Sequence, residues 1–140
     1  MGALDTVTAF NDALNAQQWG EAARYLTDDF VFAGVTPQPA GKQEFIAGQQ
    51  QWAAAAPDWH VTLDNLHAEG NNVQATSHIT GTHTNTLSLP GLSSLPATGR
   101  HFETRDAAIT IVRGDQIASL TITPGSPSLL EQLGVPMPPR

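Results

Sequence analysis

The chain has 140 residues, 40% hydrophobic, 6% aromatic and 14% charged, which suits one domain over residues 1–140 with a sizeable core. Its 13 acidic residues against 6 basic leave a formal net charge of −7, which argues against a basic track for nucleic acid or an anionic membrane. Cysteine is absent, so disulfides, thiolate metal sites and a cysteine nucleophile are excluded.

Leu4, Val7, Phe10 and Leu14 recur at three- and four-residue steps and predict a helix over roughly Leu4 to Ala16. Trp19, Ala22, Ala23 and Leu26 continue the period as a second short helix. Thr27-Asp28-Asp29 supplies turn chemistry before a short strand, Phe30 to Ala33. Pro37 and Pro39 break the next segment, after which Phe45, Gln49, Trp52, Ala53 and Ala56 mark a third helix ending at Pro57. The period then changes to two. Trp59, Val61 and Leu63 alternate with His60, Thr62 and Asp64 as a half-buried strand, and Glu69 to Asn72 makes the turn into a return strand, Val73 to Thr82. A long connection from His83 to Gly99 carries Leu87, Leu89, Leu92 and Leu95, and a loop of that length in a small domain is usually functional or mobile. Strands over His101 to Val112 and Gln116 to Thr123 meet at the turn Arg113-Gly114-Asp115. A helical turn near Leu129 to Leu133 and a proline-rich tail close the chain.

Helices before a run of antiparallel strands predict an α+β fold with the helices on one face of the sheet. Gly81 and Gly99 stand near strand ends, where bulges and bends favour glycine. No segment has the apolar length of a membrane span and the start lacks a signal-peptide pattern, so the expected location is cytoplasmic. Gly2 and Thr6 fit the permissive myristoylation pattern, but no polybasic segment follows to complete an anchor.

The order of elements, with Ala56-Pro57-Asp58-Trp59-His60, Gly81-Thr82-His83-Thr84, Pro96-Ala97-Thr98-Gly99-Arg100 and Leu129-Leu130-Glu131-Gln132-Leu133-Gly134, resembles the SnoaL-like polyketide and ester cyclases of the nuclear transport factor 2-like superfamily. The resemblance covers nearly the whole chain. It implies a cone-shaped, curved antiparallel sheet with N-terminal helices packed across it, an apolar pocket for a hydrophobic small molecule, and a homodimer through the outer sheet face. It also implies an acid/base aspartate shortly after the last strand. Aligned on Ile117 and Leu129-Leu130, that aspartate falls on Gly125 and the family's tryptophan on Thr121, and a shift of one residue gives Pro124 or Ser126. The usual aldol mechanism therefore lacks its carboxylate here.

Substitute chemistry is sought among titratable groups. His78 and His83 are five apart and face opposite sides of a strand, and His60, His67 and His101 have no ligand spacing, so no metal site is expected. His83, at a strand end and the start of the long loop, is a candidate catalytic acid or base at the pocket, against a plain role in capping the strand end. In Arg100 to Asp106, alternation puts His101, Glu103 and Arg105 on one face and Phe102, Thr104 and Asp106 on the other. If the Phe102 face is concave, Asp106 is the second catalytic candidate, a carboxylate in an apolar cavity. Tyr25, Trp52, Trp59, His101 and Phe102 are candidate substrate contacts, although Tyr25 and the tryptophans fit a plain core equally well. Asp58, Asp64 and Glu69 read as turn and solvent residues. No GxSxG, GxxxxGKS or GxGxxG unit is present, so no cofactor is expected. The leading reading is a cofactor-independent cyclase or isomerase of a polyketide- or terpenoid-like molecule. The alternatives are a non-catalytic binding protein of the same fold and a dimerisation module with a filled core.

Overall fold

The computed structural model describes residues 2–34, 38–88, 94–125 and 132–133. Helix α1 (Ala3–Asn15) buries Val7, Phe10 and Leu14 of the predicted stripe, adds Ala13, and leaves Leu4 outside. Its start is held by the Asp5 carboxylate, which accepts the Gly2 N–H, and its end by Gln17 in a left-handed conformation with the Gln18 N–H on Ala13 O. Helix α2 (Trp19–Arg24) is a short turn and a half, and α3 (Lys42–Ala55) buries Phe45, Ala53 and Ala55.

Strands β1 (Leu26–Ala33), β2 (His60–Glu69), β3 (Asn72–Thr82), β4 (His101–Arg113) and β5 (Gln116–Thr123) form one open, curved sheet in the order β1-β5-β4-β3-β2. The helices pack on its inner face, as the α+β reading expects. β2 to β5 pair antiparallel, but β1 lies parallel to β5, so the sheet is mixed. Periodicity identifies a strand without naming its neighbour, and the antiparallel expectation carried β1 with the rest.

The predicted turn Thr27-Asp28-Asp29 is corrected too. It lies inside β1, where the register with β5 passes from Leu26↔Ile117 to Val31↔Ser119. The turn-forming residues are spent on a bulge that the strand accommodates at its start. Gly81 marks no bulge, since β3 and β4 stay in register from Asn72↔Ile111 to Thr82↔His101.

Two side-chain amides stand in for absent strand neighbours. On the free edge of β2, Asn15 accepts the Val61 N–H (2.9 Å) and donates to Val61 O (2.8 Å). On β4, the stretch before Ala107 lies beyond the last pair with β5, and there the Gln132 amide takes the Glu103 N–H and donates to Glu103 O, both at 2.8 Å. These contacts satisfy backbone groups that an edge leaves open.

The core has two parts. Phe10, Phe30 and Phe45 pack with Val73, Val112 and Ile117 at one end, and Trp59, Phe102, Leu87 and Leu133 with Ala55 and Ala56 at the other. In the long connection, Leu87 and Leu95 pair as a backbone bridge, and Thr84 and Asn85 donate to Ala55 O at the end of α3. Leu89, Leu92 and most of the predicted turn Leu129 to Leu133, with the tail beyond it, lie outside the described residues. No helix among the described residues is long and apolar enough to cross a membrane.

Candidate functional site

The inner face of the sheet follows from alternation. β4 turns Phe102, Thr104, Asp106, Ala108, Thr110 and Val112 inward, opposite Gly81, Ile79, Ser77, Ala75 and Val73 of β3. The Phe102 face is therefore the one the helices cover. Between the two apolar clusters lies a strip of small and polar side chains: Ser77, Thr104, Asp106, Ala108 and Thr110.

At one end of the strip, Trp52 of α3 stacks on Trp59 with ring centroids 5.6 Å apart, and both contact Phe102, at 5.7 and 5.8 Å. Gly81 makes room for the Phe102 ring, because a Cβ there would lie 2.5 Å from Phe102 Cζ. Three of the predicted substrate contacts thus form one aromatic wall. The Thr104 hydroxyl, two residues along β4, is buried with no hydrogen-bond partner among the described residues. Alternation with Phe102 put Thr104 on this face, yet a threonine in a strand carries no signal that singles it out.

Asp106, half-buried, accepts the Gly125 N–H on Oδ1 at 2.8 Å and sits opposite Ser77. Gly125 is the position where the family resemblance expects the aspartate. Its backbone presses on β4 so closely that a Cβ would meet Arg105 O at 2.7 Å, which leaves no room for the expected side chain. The carboxylate at this point of the sheet comes from β4 instead.

His83 is buried, with Nδ1 3.2 Å from the Thr98 N–H and 2.9 Å from Thr98 Oγ1. Tyr25 stands apart, ending α2 and packing against the phenylalanine cluster. His101 lies on the exposed face of β4, its Nδ1 3.3 Å from Thr82 Oγ1, away from the aromatic wall. Around it runs a charged surface. His78 bonds Glu103 at 2.6 Å, and Arg105 bridges Glu103 and Asp64. The His78 hydrogen bond holds the Glu103 carboxyl below its ordinary pKa, followed by the nearby positive charge. Asp58 is likewise held low, first by the Thr82 N–H. It stands in the turn before β2, as read, and also ties that entry to the end of β3. No group of three metal-ligating side chains occurs among the described residues. A shallow cleft of about 250 Å³ beside the β2 edge, lined by Asn11, Asn15, His60 and Thr62 among others, contains none of the predicted site residues.

A profile of the SnoaL-like domain matches residues 7–120. No curated protein matches the chain. Among solved structures, IdmH of Streptomyces antibioticus, a proposed polyketide cyclase, is 23% identical, with a TM-score of 0.74 over 96% of this chain and 100% of that one. TsrD of Streptomyces laurentii is 24% identical, with a TM-score of 0.73 over 93% and 92%. AclR of Streptomyces galilaeus, a proposed hydroxylase, is 15% identical, with a TM-score of 0.75 over 94% and 95%. At these identities the likeness is one of fold, and the fold carries more than one chemistry.

Proposed function

The chain belongs to the SnoaL-like domain family, and from that membership we propose that it is a cofactor-independent cyclase or isomerase of an apolar, oxygenated small molecule of polyketide or terpenoid type. One observation carries the reading: a carboxylate, Asp106, on the inner face of the sheet within a strip of small side chains flanked by two apolar clusters. The partly exposed Trp52 indole, backed by Trp59 and Phe102, is the aromatic surface nearest this strip, and Ser77 and Thr104 add hydroxyls beside it. Asp106 is the proton-transfer group. The Gly125 N–H fixes one of its oxygens, so the carboxylate is oriented before substrate arrives.

Asp106→Asn keeps size and polarity but cannot exchange a proton. Turnover of a polyketide-type substrate is expected to fall about 10²- to 10⁴-fold with little change in binding. Unchanged turnover overturns the role of Asp106. Binding by both proteins with no conversion of any ligand by the wild type supports a carrier instead.

The partner in this reading is a second copy of the chain. The outer face exposes Val31 (41%), Ile109 (38%) and Ile111 (37%) beside Ala107 and the short side chains Ser119, Thr121 and Thr123. The ion pair of Arg113 and Asp29 (2.6 Å) offers both signs to a two-fold mate. Sedimentation of the wild type is expected to give a dimer and of Ile109→Arg a monomer. A monomeric wild type sinks the proposal.

A further inference from the structure

We infer that His83 is held as the neutral Nε2–H tautomer and donates that hydrogen to a carbonyl oxygen of the bound ligand. Part of this rests on the proposed function, because it takes the ligand to be an apolar carbonyl compound; the tautomer itself does not. At the end of β3, His83 continues the alternation of Ile79 and Gly81 and so shares their inner side, while His78 belongs to the outer one. Its backbone is fixed by Arg100 O, which accepts the His83 N–H at 2.9 Å, and by the Gly99 N–H, which donates to His83 O at 2.8 Å.

The ring is fixed as firmly. A backbone N–H can only donate, so the Thr98 N–H, 3.2 Å from Nδ1, requires a lone pair on that nitrogen. The Thr98 hydroxyl, 2.9 Å from Nδ1, follows this choice: with Nδ1 bare it can share that lone pair as a second donor while it accepts the Arg100 N–H at 3.3 Å. The ring hydrogen of neutral His83 is thereby placed on Nε2. The residue is 0% exposed, and Nε2 has no hydrogen-bond partner among the described residues. A buried N–H left without an acceptor weakens the fold, so its retention points to an acceptor that arrives with a ligand.

The surroundings select the acceptor. This end of the sheet is apolar and aromatic, built from Trp52, Trp59, Phe102, Leu87 and Leu133. A carboxylate entering it would lose its hydration for a single neutral donor, whereas a ketone oxygen gives up far less. His83 therefore takes no proton from the substrate. It polarises a carbonyl and stabilises negative charge developing on that oxygen, leaving proton transfer to Asp106. Thr98 is the positioning residue.

Nitrogen-15 NMR of the histidine rings in the free protein, with His83 assigned through His83→Gln, tests the tautomer. The expected pattern is a protonated Nε2 and a bare Nδ1, and a protonated Nδ1 overturns the inference. Ligand donation is tested with 2-acetylnaphthalene against 2-ethylnaphthalene, followed by quenching of tryptophan fluorescence. The ketone is expected to bind roughly tenfold more tightly, about one hydrogen bond's worth, to move the Nε2 resonance, and to lose its advantage in His83→Phe. Equal binding with an unmoved resonance overturns the donor role while the Asp106 reading stands. Binding of neither probe overturns the inference and the apolar-pocket reading together.

Discussion

Gly34→Ala is expected to lower stability by about 2–5 kcal/mol, combining backbone strain with steric overlap. Gly34 follows β1 with φ at +103°, and a Cβ built there lies 1.8 Å from Ile122 O of β5, closer than any real contact. The obstacle is backbone in a strand, so no side chain can swing aside. Relief requires β1 and β5 to part. For a domain of this size the loss lowers Tm by roughly 7–17 °C. Gly48→Ala is the control. It lies inside α3 with nothing within 4 Å of the added carbon, so it is expected to raise stability by about 0.5–1 kcal/mol through helix propensity. Equal Tm shifts in the two variants would refute the steric account of Gly34.

Phe102→Ala is expected to cost about 3–5 kcal/mol, the range for emptying a buried phenylalanine site. The ring is 1% exposed and touches both tryptophans, so its loss also frees Trp52 and Trp59 to move. Loss of the exciton-coupled far-UV circular dichroism of the stacked indoles reports that motion. Gly81→Ala attacks the same contact from the facing strand, where its new carbon meets the Phe102 ring at 2.5 Å and Ala56 Cβ at 3.3 Å. About 1–3 kcal/mol is expected for such overpacking. Because the two residues share one space, the double variant should lose less than the sum of the single ones. Strict additivity in denaturant melts would refute the coupling.

The inward placement of Trp52, Trp59 and Phe102 was readable in advance because each obeys a period, although nothing in the periods brings the three rings together. Trp52 follows the α3 stripe, while Trp59 stands at the start of the period-two pattern of β2 and Phe102 heads the inner set on β4. The helix α1 and the bounds of β5 were readable for the same reason. What periodicity does not encode is who lies beside whom. The parallel pairing of β1 with β5, the bulge at Thr27-Asp28-Asp29 and the return of Gln132 to Glu103 are all tertiary choices. The site divides along the same line. Phe102, Thr104 and Asp106 fell on one face by counting, but the approach of Gly125 to Asp106 depends on how the chain leaves β5. His101 was grouped with the site for its chemistry, and alternation had already placed it on the opposite side. The mate of His83 is the backbone of Thr98, whose position no side-chain pattern reveals.

The placement of β1 against β5 also fixes an order of assembly. Leu26 pairs with Ile117, and Gln116 Nε2 donates to Leu26 O across 90 positions of the chain. The hairpins β2–β3 and β4–β5 close over turns of two residues and can form early. Apart from the bridge between Phe32 and Ala40, β1 has no strand partner until β5 exists, so during synthesis its pairing waits on nearly everything that follows. Such distant pairing slows folding relative to helical domains of equal length, and it leaves β1 an unpaired edge for as long as the wait lasts. The charged bulge Asp28-Asp29 sits on that edge, where like charges on two waiting chains repel.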